Sequence, residues 1–324
     1  PGHGGRREWF LLESKIHQMA VEKPRCNGEN RVTPVWYTTR MKTPRVLLAT
    51  FSQTGTTERA AAAVEAGLRR AGATVVRARI SGDGELLPAV DLDSIDILGI
   101  GTPVHIFRPP PPVARFVRQV ATAPPPAFFL FVLHGTHLGV TGNRIRRRLS
   151  RSTDLGYLTL RGEDNFLGYL REGVRFSPAH PSTQELRLAE EFGGTVAERR
   201  HRGTAGTEPL DPPTPCIYAV ERVVINPFLS RRLYSRFFRA EERCIRCDLC
   251  VRGCPTGNIT RPEQELPRFA RECIMCGRCE QICPVEAIRS PYDWWVNRLF
   301  MKLNVRLGIA AGYPYERVDQ ESTK

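Results

Sequence analysis

No apolar run in this chain approaches the ~20 residues that a bilayer-spanning helix needs, so no transmembrane segment is expected. The charged start, apolar core and small-residue cleavage site of a secretory signal are also missing, which argues for a cytoplasmic protein and against a disulfide scaffold. Lysine is scarce: of 47 Lys and Arg residues, only Lys15, Lys23, Lys42, Lys302 and Lys324 are lysine. Against 34 acidic residues this leaves a net charge of +13. Such an excess suits an acidic protein partner or an anionic membrane surface, or is simply the solvated face of an Arg-rich chain. Nucleic acid is not expected, because no reader motif accompanies the charge.

What the chain does have is cysteine in register. Eight of its ten cysteines form two copies of C-x2-C-x2-C-x3-C-P: Cys244, Cys247, Cys250, Cys254 with Pro255, and Cys273, Cys276, Cys279, Cys283 with Pro284. This is the ligand run of a bacterial-type protein holding two [4Fe–4S] clusters. The fourth cysteine of each run ligates the other cluster, so the expected sets are Cys244, Cys247, Cys250, Cys283 and Cys273, Cys276, Cys279, Cys254. A zinc ribbon would use two CxxC pairs and leave four thiols over. Cys26 and Cys216 lie outside the pattern and read as ordinary thiols.

The 324 residues are enough for two domains. Residues 1–43 have no sustained apolar period and read as a poorly ordered extension, or as sequence upstream of a true start at Met41. From there strand and helix patterns alternate. Val46–Thr50, Thr74–Ile80, Ser94–Gly101, Ala127–His134 and Leu155–Leu160 read as strands, and Thr57–Ala71, Val113–Val120 and Ser182–Arg199 as helices. That alternation predicts an open parallel sheet with helices on both faces.

The turn after the first strand reads Ser52-Gln53-Thr54-Gly55-Thr56-Thr57. Hydroxyls beside the free N–H groups of a helix start make a phosphate cradle. The turn contains no Lys or Arg and is neither GxGxxG nor GxxxxGK[ST], so a terminal phosphomonoester fits better than a dinucleotide or a triphosphate.

This turn resembles the FMN phosphate loop of flavodoxins. With the cysteine runs, Gly99-Ile-Gly101-Thr-Pro103-Val104, Phe176–Pro181, Pro227-Phe228-Leu229 and Tyr234–Phe238, residues 44–290 resemble flavodoxin–ferredoxin fusion proteins. The resemblance implies an α/β flavodoxin-like doubly wound sheet of five parallel strands, order 2-1-3-4-5, in 44–200, with FMN at the carboxyl edge. It further implies a small α+β ferredoxin-like two-cluster domain in 240–290. Two further loops should reach the flavin: Thr102, Pro103, Val104, His105 and Phe107 after the third strand, and Gly135 and His137 after the fourth. They carry no Trp or Tyr to stack on the ring, so the flavin would lie against backbone and the ferredoxin module. His105 and His137 read either as packing residues or as proton donors to flavin, and no catalytic residue is assigned.

Residues 160–180 are long for a connection and read as a lid or a covered insertion. Residues 201–239 read as a linker and a docking helix, and 291–324 as an aromatic, basic helix and tail docking on the protein itself, on a second subunit as a homodimer, or peripherally on a membrane. The function that follows is electron transfer between two [4Fe–4S] clusters, FMN and a redox partner protein. The alternative is a flavin-dependent oxidoreductase reducing a quinone or other small acceptor.

Overall fold

The computed structural model describes residues 43–164, 166–213 and 233–318. The expectations for residues 1–42, for Cys26 and Cys216, and for most of the docking segment lie outside the described residues. The segment Lys42–Lys324 belongs to one compact unit.

Its first half contains β1 (Arg45–Thr50), α1 (Thr56–Arg70), β2 (Thr74–Ile80), β3 (Leu86–Leu87), β4 (Ile97–Pro103), α2 (Pro111–Val120), β5 (Ala127–His134), α3 (Thr141–Arg148) and β6 (Thr153–Arg161). There follow α4 (Leu167–Arg171), β7 (Val174–Phe176) and α5 (Thr183–Arg202). The sheet runs β3-β2-β1-β4-β5-β6. Its five parallel strands, counted in chain order, lie 2-1-3-4-5, the flavodoxin-like order. The expected sheet of five strands is corrected to six, because the two-residue β3 turns back antiparallel along the outer edge of β2. So short a strand carries no readable alternation.

Strand alternation divides the core in two. Val46, Leu48, Phe129 and Phe131 pack with α1 and α5 on one face, and Leu47, Leu98, Leu130 and Val132 with α2 and α3 on the other. The α1–α5 contact depends on missing side chains: a Cβ on Gly67 would stand 1.8 Å from the Glu190 carbonyl oxygen. Gly67→Ala is therefore expected to destabilise the fold by about 1–3 kcal/mol in denaturant unfolding. Helix propensity alone would favour alanine by about 1 kcal/mol, so a net loss isolates the close approach.

Ser182 caps α5 in a reciprocal box with Glu185. The same carboxylate accepts the Arg161 backbone N–H (3.1 Å) and pairs with His180 (2.6 Å), tying the end of β6 to the helix start. Burial pushes the Glu185 carboxyl up, but the Ser182 N–H and the His180 ring outweigh it and hold it below its usual value. The stability that wild type gains over Glu185→Gln is therefore expected in full above the ordinary glutamate range. It should fade as pH falls through the lowered pKa, as read by unfolding at several pH values.

The second half holds β8 (Arg239–Ala240), α6 (Leu249–Arg252), β9 (Ile259–Thr260), β10 (Arg268–Phe269), α7 (Arg278–Gln281), β11 (Ile288–Arg289), α8 (Trp295–Ala310) and β12 (Tyr315–Arg317). β8 pairs with β11 and β9 with β10, each antiparallel. Phe238, Ile259, Met275, Ile288 and Tyr292 form its core, joined by Leu167 of α4. Residues 160–180 are a covered insertion: Tyr169, Val174 and Phe176 pack against Met301 and Val305 of α8, and β12 pairs with β7. Residues 204–213, expected as a linker, are tied to the sheet. The Asp211 carboxylate accepts the Asn143 N–H (2.8 Å) and the Tyr157 hydroxyl (2.5 Å), and burial with this bond pushes the Tyr157 phenol well above its ordinary range.

Candidate functional site

The turn between β1 and α1 brings its hydroxyls to the carboxyl edge of the sheet. Gly55 caps α1 at φ 90°, a conformation open to glycine, with no side-chain hydrogen bond to the cap. The helix-start N–H groups therefore remain available for an anion. Ser52 Oγ accepts the Gly55 N–H (3.0 Å), and Thr54 and Thr56 share a hydroxyl bond of 3.0 Å.

Ser52, Gln53, Thr54, Thr56 and Thr57 line one wall of a cavity of about 90 Å³. Pro103 and His105 line a second side, and Leu133, His134 and Gly135 a third. Glu163, Asp164 and Phe166 of the insertion close it together with Cys276. Among the described residues no Lys or Arg lines it. Gln53 Nε2 is shielded from solvent without a hydrogen-bond partner. A buried donor in that state calls for an acceptor, which an oxygen-rich ligand beside the cradle would supply.

Of the sequence-predicted flavin contacts, Gly55, Thr102, Val104, Phe107 and His137 do not line the cavity. Gly55 shapes the turn, and Thr102 bonds the Pro103 carbonyl (3.0 Å). The Phe107 and His137 rings meet edge to face at 5.9 Å, and His137 Nδ1 accepts the Gly139 N–H (2.9 Å). Both loops thus hold each other at the sheet edge. His105 is buried and its Nε2 lies 2.6 Å from the Ile274 carbonyl. A carbonyl only accepts, so the proton sits on Nε2. Burial lowers the ring's pKa to about 4, although the carbonyl opposes this, so at neutral pH His105 is an uncharged clasp to the cysteine-rich segment.

Leu133, His134, Gly162, Glu163, Asp164 and Phe166 line the cavity although sequence reasoning assigned them no ligand role. Burial and the Arg161 charge lower His134 to about 4. Burial raises Asp164 to about 6 against the Phe166 N–H, which its carboxylate accepts at 3.1 Å. Asp164 also packs on Gly135, where a Cβ would stand 2.3 Å from its own Cβ. The Gly135 carbonyl is pinned by the Ser177 hydroxyl (2.6 Å) and Arg161 (3.2 Å). For Asp164 and Phe166 the one sequence signal was the unusual length of the 160–180 connection.

The two cysteine runs are related by a shift of 29 residues, and the backbone repeats with them. Left-handed residues recur at Arg246 and Met275, at Asp248 and Gly277, and at Gly257 and Glu286. The Asn258 N–H points at Cys254 Sγ (3.3 Å) and the Ala287 N–H at Cys283 Sγ (3.2 Å), again 29 apart. Electrostatic neighbourhood sorts the sulfurs across the runs: Cys250 interacts with Cys244 and Cys283, and Cys279 with Cys273, Cys276 and Cys254. Burial raises the Cys250 and Cys276 thiols to about 11 and Cys273 to about 12. Thiols so disfavoured as free anions become thiolates when iron offsets their charge, and N–H···S bonds suit that state. Among the described residues no three His, Cys, Asp or Glu side chains are set to hold a single metal ion. Cys247 is exposed, whereas Cys276 faces the cavity.

Residues 233–288 match the family model described as a 4Fe-4S dicluster domain. No curated protein matches. Among solved structures, a flavodoxin from the domain Archaea aligns at 14% identity and TM-score 0.36, covering 48% of this chain and 99% of that one. Megasphaera elsdenii flavodoxin aligns at 20% identity and TM-score 0.35, covering 47% and 98%. Rubredoxin oxygen:oxidoreductase from Desulfovibrio gigas aligns at 13% identity and TM-score 0.38, covering 49% of this chain and 37% of that one. The parallel strand order is that of the flavodoxin-like fold, and the matched segment adds a 4Fe-4S dicluster domain to it. Among the described residues no helix is long and apolar enough to cross a membrane.

Proposed function

We propose that the protein relays electrons between two [4Fe–4S] clusters, an FMN and a redox partner protein in the cytoplasm. The observation that carries this reading is Cys276: a cysteine of the second run lines the same cavity as the phosphate-loop hydroxyls. Cys273, Cys276, Cys279 and Cys254 hold the inner cluster, and Cys244, Cys247, Cys250 and Cys283 the outer one. Ser52–Thr57 and the start of α1 hold the phosphate, and Gln53 donates to the ligand. When bound, FMN supplies an exchange between one- and two-electron carriers.

The chain's own part is positioning. The His105–Ile274 bond fixes the second cysteine run against the sheet edge, and the paired loops hold Gly135 and Pro103 at the cavity. The cavity is smaller than the ~300–1,000 Å³ of typical ligand pockets. Seating the flavin ring therefore requires the Glu163–Phe166 segment or the Ile274–Cys276 segment to give way.

At the outer end, Arg243, Arg246 and Arg252 are exposed around Cys247, and Arg252 bonds the Cys247 carbonyl (3.0 Å). That rim suits an acidic partner protein. Anaerobically reconstituted protein is expected to hold about eight irons and one FMN per chain. Iron near four, or no retained flavin, would contradict the reading.

A further inference from the structure

Helix α8 has two unlike sides. Met301, Asn304, Val305 and Gly308 are buried, and Met301 and Val305 seal the insertion. The opposite side carries Trp295, Leu299 and Leu303 at spacing i, i+4, i+8, with exposures of 78%, 62% and 53%. Arg298, Lys302 and Arg306 repeat the same spacing and are also exposed. At 3.6 residues per turn the two rows run side by side along the helix. No Asp or Glu occurs in Trp295–Ala310. The apolar row continues past the helix start, where Trp294 packs edge-on against Phe237 (4.8 Å) and Tyr234 (6.3 Å), both Trp294 and Phe237 being partly exposed.

We propose that this face seats the protein on an anionic lipid surface, with Trp295, Leu299 and Leu303 in the headgroup–acyl boundary and the basic row against the phosphates. The chemistry selects this occupant. A protruding tryptophan on a convex single helix fits a penetrable surface, where a protein partner would need a matched pocket. A second copy would bring an equally basic helix to the contact and be repelled. Anionic headgroups complement Lys302, Arg306 and Arg298, the last of which also lies 3.6 Å from the Glu172 carboxylate, with no acid in the helix itself. The surface lies on α8, apart from the arginines around Cys247 that the acidic partner is proposed to meet, so the two predictions fail separately.

The test is co-sedimentation of the full reconstituted chain with phosphatidylcholine vesicles and with vesicles containing phosphatidylglycerol. Binding is expected to the second and not the first. The charge reversal Arg298→Glu/Lys302→Glu/Arg306→Glu should weaken it roughly 100-fold. Trp295→Ser/Leu299→Ser/Leu303→Ser, which alters exposed positions alone, should abolish binding with the iron content unchanged. Three outcomes would overturn the proposal: no sedimentation with either vesicle, equal binding to both, or binding unaffected by the two variants. A dimer in size-exclusion chromatography that these substitutions convert to a monomer would overturn it too, in favour of a second copy.

Discussion

The double variant Cys254→Ala/Cys276→Ala is expected to keep about half of the iron, whereas Cys250→Ala/Cys254→Ala should lose nearly all of it. The contrast follows from the crossing of the two runs. Cys254 is remote from Cys276 in sequence, yet its sulfur acts on Cys273, Cys276 and Cys279. On the proposed assignment the first pair removes two ligands from one cluster and leaves the other intact. The second pair lies within one run but takes one ligand from each cluster, since Cys250 interacts with Cys244 and Cys283. Each cluster would then have three ligands among thiols that burial keeps protonated. Iron and sulfide analysis after anaerobic reconstitution reads the difference. If each run held its own cluster, the two variants would exchange outcomes.

Thr54→Asp is expected to weaken FMN binding at least ~100-fold while iron content stays at the wild-type level. Thr54 stands in the cradle, with its hydroxyl 3.0 Å from that of Thr56. A carboxylate there would face the phosphate in a cavity whose described lining holds no Lys or Arg, and the neighbouring Arg161 is already bonded to the Gly135 carbonyl (3.2 Å). Thr54→Ser keeps the hydroxyl and should bind FMN as wild type does. Flavin released by acid from the purified variants, together with an FMN titration, measures both. Loss of iron alongside flavin in Thr54→Asp would instead report a folding defect.

The paired cysteine runs were legible because their spacing is local, and the backbone repeats with them 29 residues apart. The turn after β1 was legible because a strand, a glycine and a helix start follow one another in sequence. Strand β5 was readable as Ala127–His134 because a central parallel strand is apolar on both faces. Helix α3 was not: its four arginines hide a short buried side of Thr141, Gly142 and Ile145, and Arg146 is bonded to Asp154 (2.6 Å). The far wall of the cavity was equally hidden. Asp164, Phe166 and Cys276 meet the phosphate loop through contacts spanning more than a hundred residues, which leave no local period. His105 shows the same limit, since a loop histidine gives no sign that its partner is a carbonyl between two cysteines of a distant run.

The relay itself is tested most directly by flash reduction of the reconstituted protein under anaerobic conditions, with cluster and flavin absorbance followed in time. Because Cys276 lines the same cavity as the Ser52–Thr57 turn, electrons should, on the proposed reading, pass between cluster and flavin within one chain, in a first-order phase whose rate does not change with protein concentration. A rate rising in proportion to concentration would mean that electrons cross between molecules, and would contradict the account.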